Sequence, residues 1–285
     1  MQSRNVEQQI PAVSVSEGAG VTVNRTIGTP ARRHLDPFLM LDQFGSDDPN
    51  QYLAGFPDHP HRGFITLTYM LDGHMLHQDS MGNRGDLRAG GIQWMKAASG
   101  VIHSEMPQQT SGVMRGFQLW INLPAKEKMS DPEYQDFADA RIPVVADAGR
   151  RVKVIGGEYG GARGPLHDPH THLIYLDVAV APEHDFVHRL PAPHTAFIYL
   201  YDGAATIEGT KLAAPTLAVL GAGERVVLAP GTAGAKFILV AGQPLNEPIV
   251  QYGPFVMNNQ QEIHQAFDDY RSNRLVRARA QTVSQ

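Results

Sequence analysis

Short runs of β-branched and aromatic residues, each cut off by a tight-turn pair, leave this chain little room for anything but an all-β architecture. Residues 21–26 alternate apolar and polar, and residues 65–71 run into Asp72-Gly73, a pair suited to a two-residue hairpin. A run at 75–79 follows, then a second turn at Gly82-Asn83-Arg84-Gly85, and residues 92–97 and 114–123 read as further strands. With 28 Gly and 20 Pro among 285 residues, turns are frequent enough for many short strands. The spacing predicts antiparallel barrels or sandwiches. Only 260–274 has helical period, with Ile263, Phe267 and Tyr270 on one side.

The pattern occurs twice. Residues 196–200 before Asp202-Gly203 echo 65–71 before Asp72-Gly73. Residues 217–227, crossing Gly221 and Gly223, echo 92–102, crossing Gly100. Between the halves, 154–169 holds five glycines and two prolines and reads as a linker. The expectation is two similar β-barrels in tandem: residues 1–150 as the first, and 151–285 as the second with a short C-terminal helix.

Composition narrows the chemistry. There is no cysteine, so any metal must be held by His and carboxylate groups. A formal charge of −5 argues against a broad nucleic-acid footprint. Arg271, Arg274, Arg277 and Arg279 form the one basic cluster, read as a solvated helix end rather than a nucleic-acid arm. The first ten residues lack an apolar signal core, and no apolar run approaches the ~20 residues of a membrane span, so a cytoplasmic location is expected. Nucleophile-elbow, Walker and dinucleotide-binding motifs do not occur.

Two polar pairs at i, i+2 spacing stand out, His59-Pro60-His61 and His103-Ser104-Glu105. On a strand, alternate side chains share a face, so each pair projects both groups the same way. Counting on from His61 in the same phase gives Gly63, Ile65, Leu67, Tyr69 and Leu71, an apolar face that places both histidines inside the barrel. The two or three strands between the pairs are about the chain needed to come round a small barrel. Three imidazoles and one carboxylate can then converge on one divalent ion. This N/O donor set suits Fe(II), Mn, Co, Ni or Zn and leaves positions for water or substrate. Burying four such groups without a metal would leave costly unpaired polar atoms.

Other histidines carry less. His167, His170 and His172 form an HDPHTH run at the end of the glycine-rich segment, with no carboxylate at strand spacing, and read as surface linker. His77 reads as a structural hydrogen-bonder. His194 has no H-x-H or H-x-E companion, so the second barrel is expected to be metal-free. Phe56, Phe64, Met70, Trp94, Met95 and Phe117 read as core packing.

Beyond spacing, FPDHPHRGF (56–64), HQDSMGNRG (77–85), GGIQWMKAASGVIHSEMP (90–107) and GPFVMN (253–258) resemble the pirin family of the cupin superfamily, over nearly the whole chain from Leu35-Asp36-Pro37-Phe38. The resemblance implies a bicupin, with a metal, usually iron, in the N-terminal barrel only, on His59, His61, His103 and Glu105. It also implies quercetin 2,3-dioxygenase activity on a flavonol-like substrate with O2, or else a role as a co-regulator that binds a protein partner. In the enzymatic reading Glu105 is both ligand and proton acceptor. One position departs from the family: typical pirins read HPHRGFET, and this chain has Ile65 where they have Glu. If position 65 shares the face of His59 and His61, Ile65→Glu should raise flavonol turnover or shift its pH profile.

Overall fold

A computed structural model describes residues 2–277, so Arg279 of the basic cluster lies outside the described residues. The chain is β throughout apart from short 3-10 turns and one α-helix, Gln260–Arg271. That helix starts where expected and is capped by Asn259, whose side chain accepts from the Glu262 backbone N–H. It stops at Arg271, three residues short of the sequence expectation. Strands form at Val21–Arg25, Phe64–Asp72, His74–Asp79, Ile92–Lys96 and Met114–Asn122, close to the runs read from the sequence. Among the described residues, no helix is long and apolar enough to cross a membrane.

Two compact units emerge, and they interleave along the chain. Of the described residues, one contains 2–13, 29–37 and 140–244; the other contains 14–28, 38–139 and 245–277. The chain thus crosses the sequence-based cut at 150 near both ends. The strand Val6–Pro11 pairs with Thr216–Leu220. The C-terminal helix packs in the unit that carries the histidine pairs, through Ile263 and Ala266 against Phe255, Met257 and Leu275.

The histidine-bearing unit has a seven-stranded and a four-stranded antiparallel sheet. Val23, Phe44, Met70 and Met114 of the larger sheet pack on Met75 and Leu87 of the smaller. Each of these side chains contributes roughly 1.5–3 kcal/mol of burial. The unit is therefore two facing sheets, as in a jelly roll, rather than a closed barrel, and its interior is open enough for a site.

In the other unit one nine-stranded sheet is organised by two long strands, Thr195–Ile207 and Arg225–Gly242. Register shifts after Leu200 and Gly203 bend the pair. Its interior is filled by Phe186, Ile198, Leu228, Phe237 and their neighbours. The segment 154–169 is not a linker. Val154 and Ile155 are fully buried in the strand Arg150–Gly156, and a two-residue hairpin arm, Glu158–Tyr159 with Ala162–Arg163, follows. Its glycines serve turns: Gly157, Gly160 and Gly161 have positive φ. The HDPHTH run is a polar turn in which Asp168 accepts from the His170 backbone N–H. No potential ligand group among the described residues includes its histidines.

Candidate metal centre

The two polar pairs lie on adjacent strands of the four-stranded sheet. Phe56–His61 runs antiparallel to Val101–Pro107, and His59 sits directly opposite His103. The second pair obeys strand alternation, with Val101, His103 and Glu105 buried and Ile102 and Ser104 half-buried. Past His103 the register shifts, so Glu105 faces Phe56. On the other side the same strand pairs with His74–Asp79, setting His103 beside Asp79 and Glu105 beside His77.

Three imidazoles gather as a result. The His59 and His103 ring centres are 4.2 Å apart, His59 and His61 4.7 Å, and His61 and His103 5.0 Å. One ring nitrogen from each lies within 4.8 Å of the other two. Glu105 meets His103 in a second group, completed by His77 within the same 4.8 Å limit. His103 is common to both groups, and Glu105 lines the same cavity as His59 and His61. Both Glu105 oxygens are held: Thr68 Oγ1 donates to Oε1 at 3.1 Å and Gln118 Nε2 to Oε2 at 2.9 Å. The Gln118 amide is oriented in turn, since its Oε1 accepts from Trp120 Nε1 at 3.4 Å.

Hydrogen bonds outside the cluster decide which nitrogens point into it. His59 Nδ1 donates to the Pro57 carbonyl at 2.8 Å, and His61 Nδ1 to that of Pro254 at 3.4 Å, leaving each Nε2 with its lone pair. For His103 the tautomer follows from a relay. Burial alone would raise the Asp79 carboxyl, but bonds from His77 and Asn83 together hold it below the ordinary carboxylate value. An ionised Asp79 only accepts, so His77 Nε2 carries the proton in the 3.3 Å bond to Asp79 Oδ2. With a single proton on His77 its Nδ1 is bare and accepts from His103 Nδ1–H in the 3.3 Å contact between them. His103 Nε2 is left as a buried lone pair with no hydrogen-bond partner.

Electrostatics favour the neutral form of His61 and His103. Burial first, then His61, His59 and His77, hold His103 well below the ordinary imidazole value. Burial and His59 do the same for His61, outweighing the Pro254 carbonyl. Neutral imidazoles with converging lone pairs, a nearby carboxylate and an orphaned buried nitrogen are what a divalent transition metal requires. The donor set fits such an ion.

His59, His61 and Glu105 line a cavity of ≈ 640 Å³. Its walls include Met40, Phe44, Phe56, Met75 and Trp120, and polar groups of Arg25, Asp42 and Glu17 also line it. Phe56 is thus a cavity wall, not only core. Burial raises Asp42 despite the bidentate Arg25 guanidinium, whose bonds to it are 2.8 and 2.6 Å long. His77, confirmed here as a hydrogen-bonder to Asp79 and His103, stacks on Tyr134 with centroids 4.8 Å apart. Asp79, Thr68 and Gln118 were missed by the sequence reading. For Asp79 the H-x-D spacing from His77 was a usable signal; Thr68 and Gln118 offered none beyond strand phase.

Position 65 is a correction. Arg62-Gly63 breaks the strand phase, with Gly63 at φ +91°, and Phe64 rather than Ile65 meets the His61 ring, centroids 5.0 Å apart. Thr66 pairs with Trp120 and Thr68 with Gln118, so the even residues face the cavity. Ile65 pairs with Ile121 on the opposite face and is buried there. Its cross-strand neighbour Lys96 is already engaged by Glu127 and Glu133. The expected result of Ile65→Glu is therefore a loss of at least about 1–3 kcal/mol of stability, from burying a carboxyl group, driven neutral there, without a free partner. Urea unfolding of the two proteins measures that loss; unchanged stability would contradict the placement.

Comparison with known proteins agrees with this architecture. Residues 20–121 match the pirin family model, and residues 175–276 match the pirin C-terminal cupin domain. A pirin-like protein of Caulobacter vibrioides is 45% identical over 96% of this chain and 100% of its own length. Human pirin is 40% identical over 98% of this chain and 97% of its own. Among solved structures, a quercetin 2,3-dioxygenase from Acinetobacter baumannii superposes with a TM-score of 0.89 at 32% identity, covering 96% of this chain and 99% of that one. Sequence, fold and donor cluster agree: the chain belongs to the pirin family of two-domain cupins.

Proposed function

We propose that this protein is a metal-dependent dioxygenase that opens the ring of a flavonol-like substrate with O2, on one divalent transition ion held by His59, His61, His103 and Glu105. Fe(II) is the favoured ion, and Mn, Co, Ni and Zn suit the same donors. The observation that carries the reading is a cavity of ≈ 640 Å³ that is walled in part by Phe44, Phe56 and Trp120 and lined also by His59, His61 and Glu105. Likeness to the Acinetobacter quercetin 2,3-dioxygenase supports the choice of substrate class.

When bound, the ion would supply Lewis-acid polarisation of the substrate hydroxyl, and a redox-active ion such as Fe(II) would also supply a partner for O2. The remaining work falls to side chains. Trp120, Phe44 and Phe56 receive a flat aromatic ring and keep water from it. Glu105 takes the proton of the enolic hydroxyl, and Thr68 and Gln118 hold the carboxylate in place for that transfer. In the overall reaction the C2–C3 and C3–C4 bonds are cleaved, the two atoms of O2 end on C2 and C4 of the ester product, and C3 leaves with its own hydroxyl oxygen as carbon monoxide.

The test is consumption of quercetin by protein loaded in turn with Fe(II), Mn, Co and Ni, with carbon monoxide measured as co-product. Turnover with at least one ion is expected. No consumption with any of them would remove the dioxygenase reading and leave a metal-bound module that engages a protein partner.

A further inference from the structure

The residue after the second histidine of H-x-H is an arginine whose side chain never reaches solvent. Arg62 is 1% exposed. Its Nε donates to the Ser99 carbonyl at 2.6 Å, and its Nη1 to Asp269 Oδ2 at 2.8 Å. Asp269 lies on the C-terminal helix, and its other oxygen accepts from Gln265 at 2.8 Å. Arg62 Nη2 has no hydrogen-bond partner among the described residues. A buried ion pair with a spare donor is a poor device for stability alone, because desolvation of both charges offsets much of their attraction.

Other residues of the C-terminal segment meet His61, Arg62 and Gly63. The Val256 backbone N–H donates to the Arg62 carbonyl at 3.0 Å, and Arg62 N–H to the Pro254 carbonyl at 3.4 Å. That Pro254 carbonyl also receives His61 Nδ1–H. Lys128, fully buried, donates to the carbonyls of Gly63 and Val256 at 2.7 and 3.0 Å and to Asn122 Oδ1 at 2.6 Å. A Cβ at position 63 would collide with the Val256 carbonyl, so glycine there permits the close approach.

We infer that Arg62 and Asp269 are positioning residues: their ion pair anchors the C-terminal segment against the H-x-H strand, so that Pro254 holds His61 with Nε2 turned into the cluster. The role rests on the ligand assignment proposed above. It makes a segment remote in sequence part of the metal centre's outer shell, where loss of a partner costs about 10–100-fold in metal affinity.

The experiment compares wild type, Asp269→Asn and the double variant Arg62→Met/Asp269→Leu for Ni(II) affinity by chelator competition, thermal melting, and hydrogen exchange at the Val256 amide. Asp269→Asn should weaken Ni(II) binding at least about tenfold and speed Val256 exchange. The double variant, with no buried charge left unpaired, should recover melting but not affinity. Unchanged Ni(II) affinity in folded Asp269→Asn overturns the inference. So does recovery of both melting and affinity in the double variant, which also decides the matter if the single variant does not fold. Should wild type itself hold no Ni(II), the ligand assignment fails separately. The anchor is then judged on exchange: faster at Val256 in the variants sustains it, and unchanged exchange overturns it.

Discussion

His103→Ala should bind divalent metal at least about a thousandfold more weakly than wild type, on the order of 4 kcal/mol or more, from the loss of one donor in four. His103 is the sharpest choice because it is the member shared by both ligand groups. Its Nε2 is also the one imidazole nitrogen of the three that is buried and unpartnered. The relay from Asp79 through His77 holds its lone pair in that position, so the effect cannot be replaced by a neighbouring ring without rebuilding the sheet register. Elemental analysis of protein purified without chelator should find about one equivalent in wild type and none in the variant. An equivalent retained by His103→Ala would mean that the ion sits elsewhere. The same equivalent lost on His167→Ala would move it to the second unit, where no ligand group is found among the described residues.

What could be read from the sequence was what depends on near neighbours. Strand period placed His103 and Glu105 on one face, and the turn pair Asp72-Gly73 marked where Phe64–Asp72 ends. What failed depended on remote chain. Phase counted from His61 through Gly63 put Ile65 inside, because nothing local announces that Gly63 adopts a positive φ to admit the Val256 carbonyl. The glycines of 154–169 suggested a linker, yet they turn a folded arm whose Val154 and Ile155 are core. Composition records the turns but not what packs between them. The interleaving of the two units was equally hidden, since Val6–Pro11 finds its partner at Thr216–Leu220 and the C-terminal helix packs with the histidine-bearing unit. Open jelly rolls and closed barrels share a strand pattern; facing-sheet contacts such as Met70 with Met75 distinguish them.

Glu105→Gln separates a carboxylate that only completes a coordination shell from one that also takes a proton. The fold should tolerate the change, and the hydrogen bonds show how. Gln118 Nε2 donates to Oε2, and the Gln118 amide cannot turn over without losing its bond from Trp120 Nε1. The new amide must therefore offer its oxygen to Gln118 and its NH2 to Thr68, whose hydroxyl can accept as readily as it donates. Geometry survives, while one negative charge and one base are removed. Metal affinity should weaken, and high metal concentration should refill the site. An amide is no base near neutral pH, and loss of a general base costs ~10²–10⁴ in rate. The refilled variant, with its metal content verified, should thus oxidise flavonol at least about a hundredfold more slowly than wild type, measured by the fall of substrate absorbance. A wild-type rate at equal metal content would take Glu105 out of the chemistry and assign the proton transfer to solvent or to another cavity group, of which Asp42 is the buried carboxylate within the same walls.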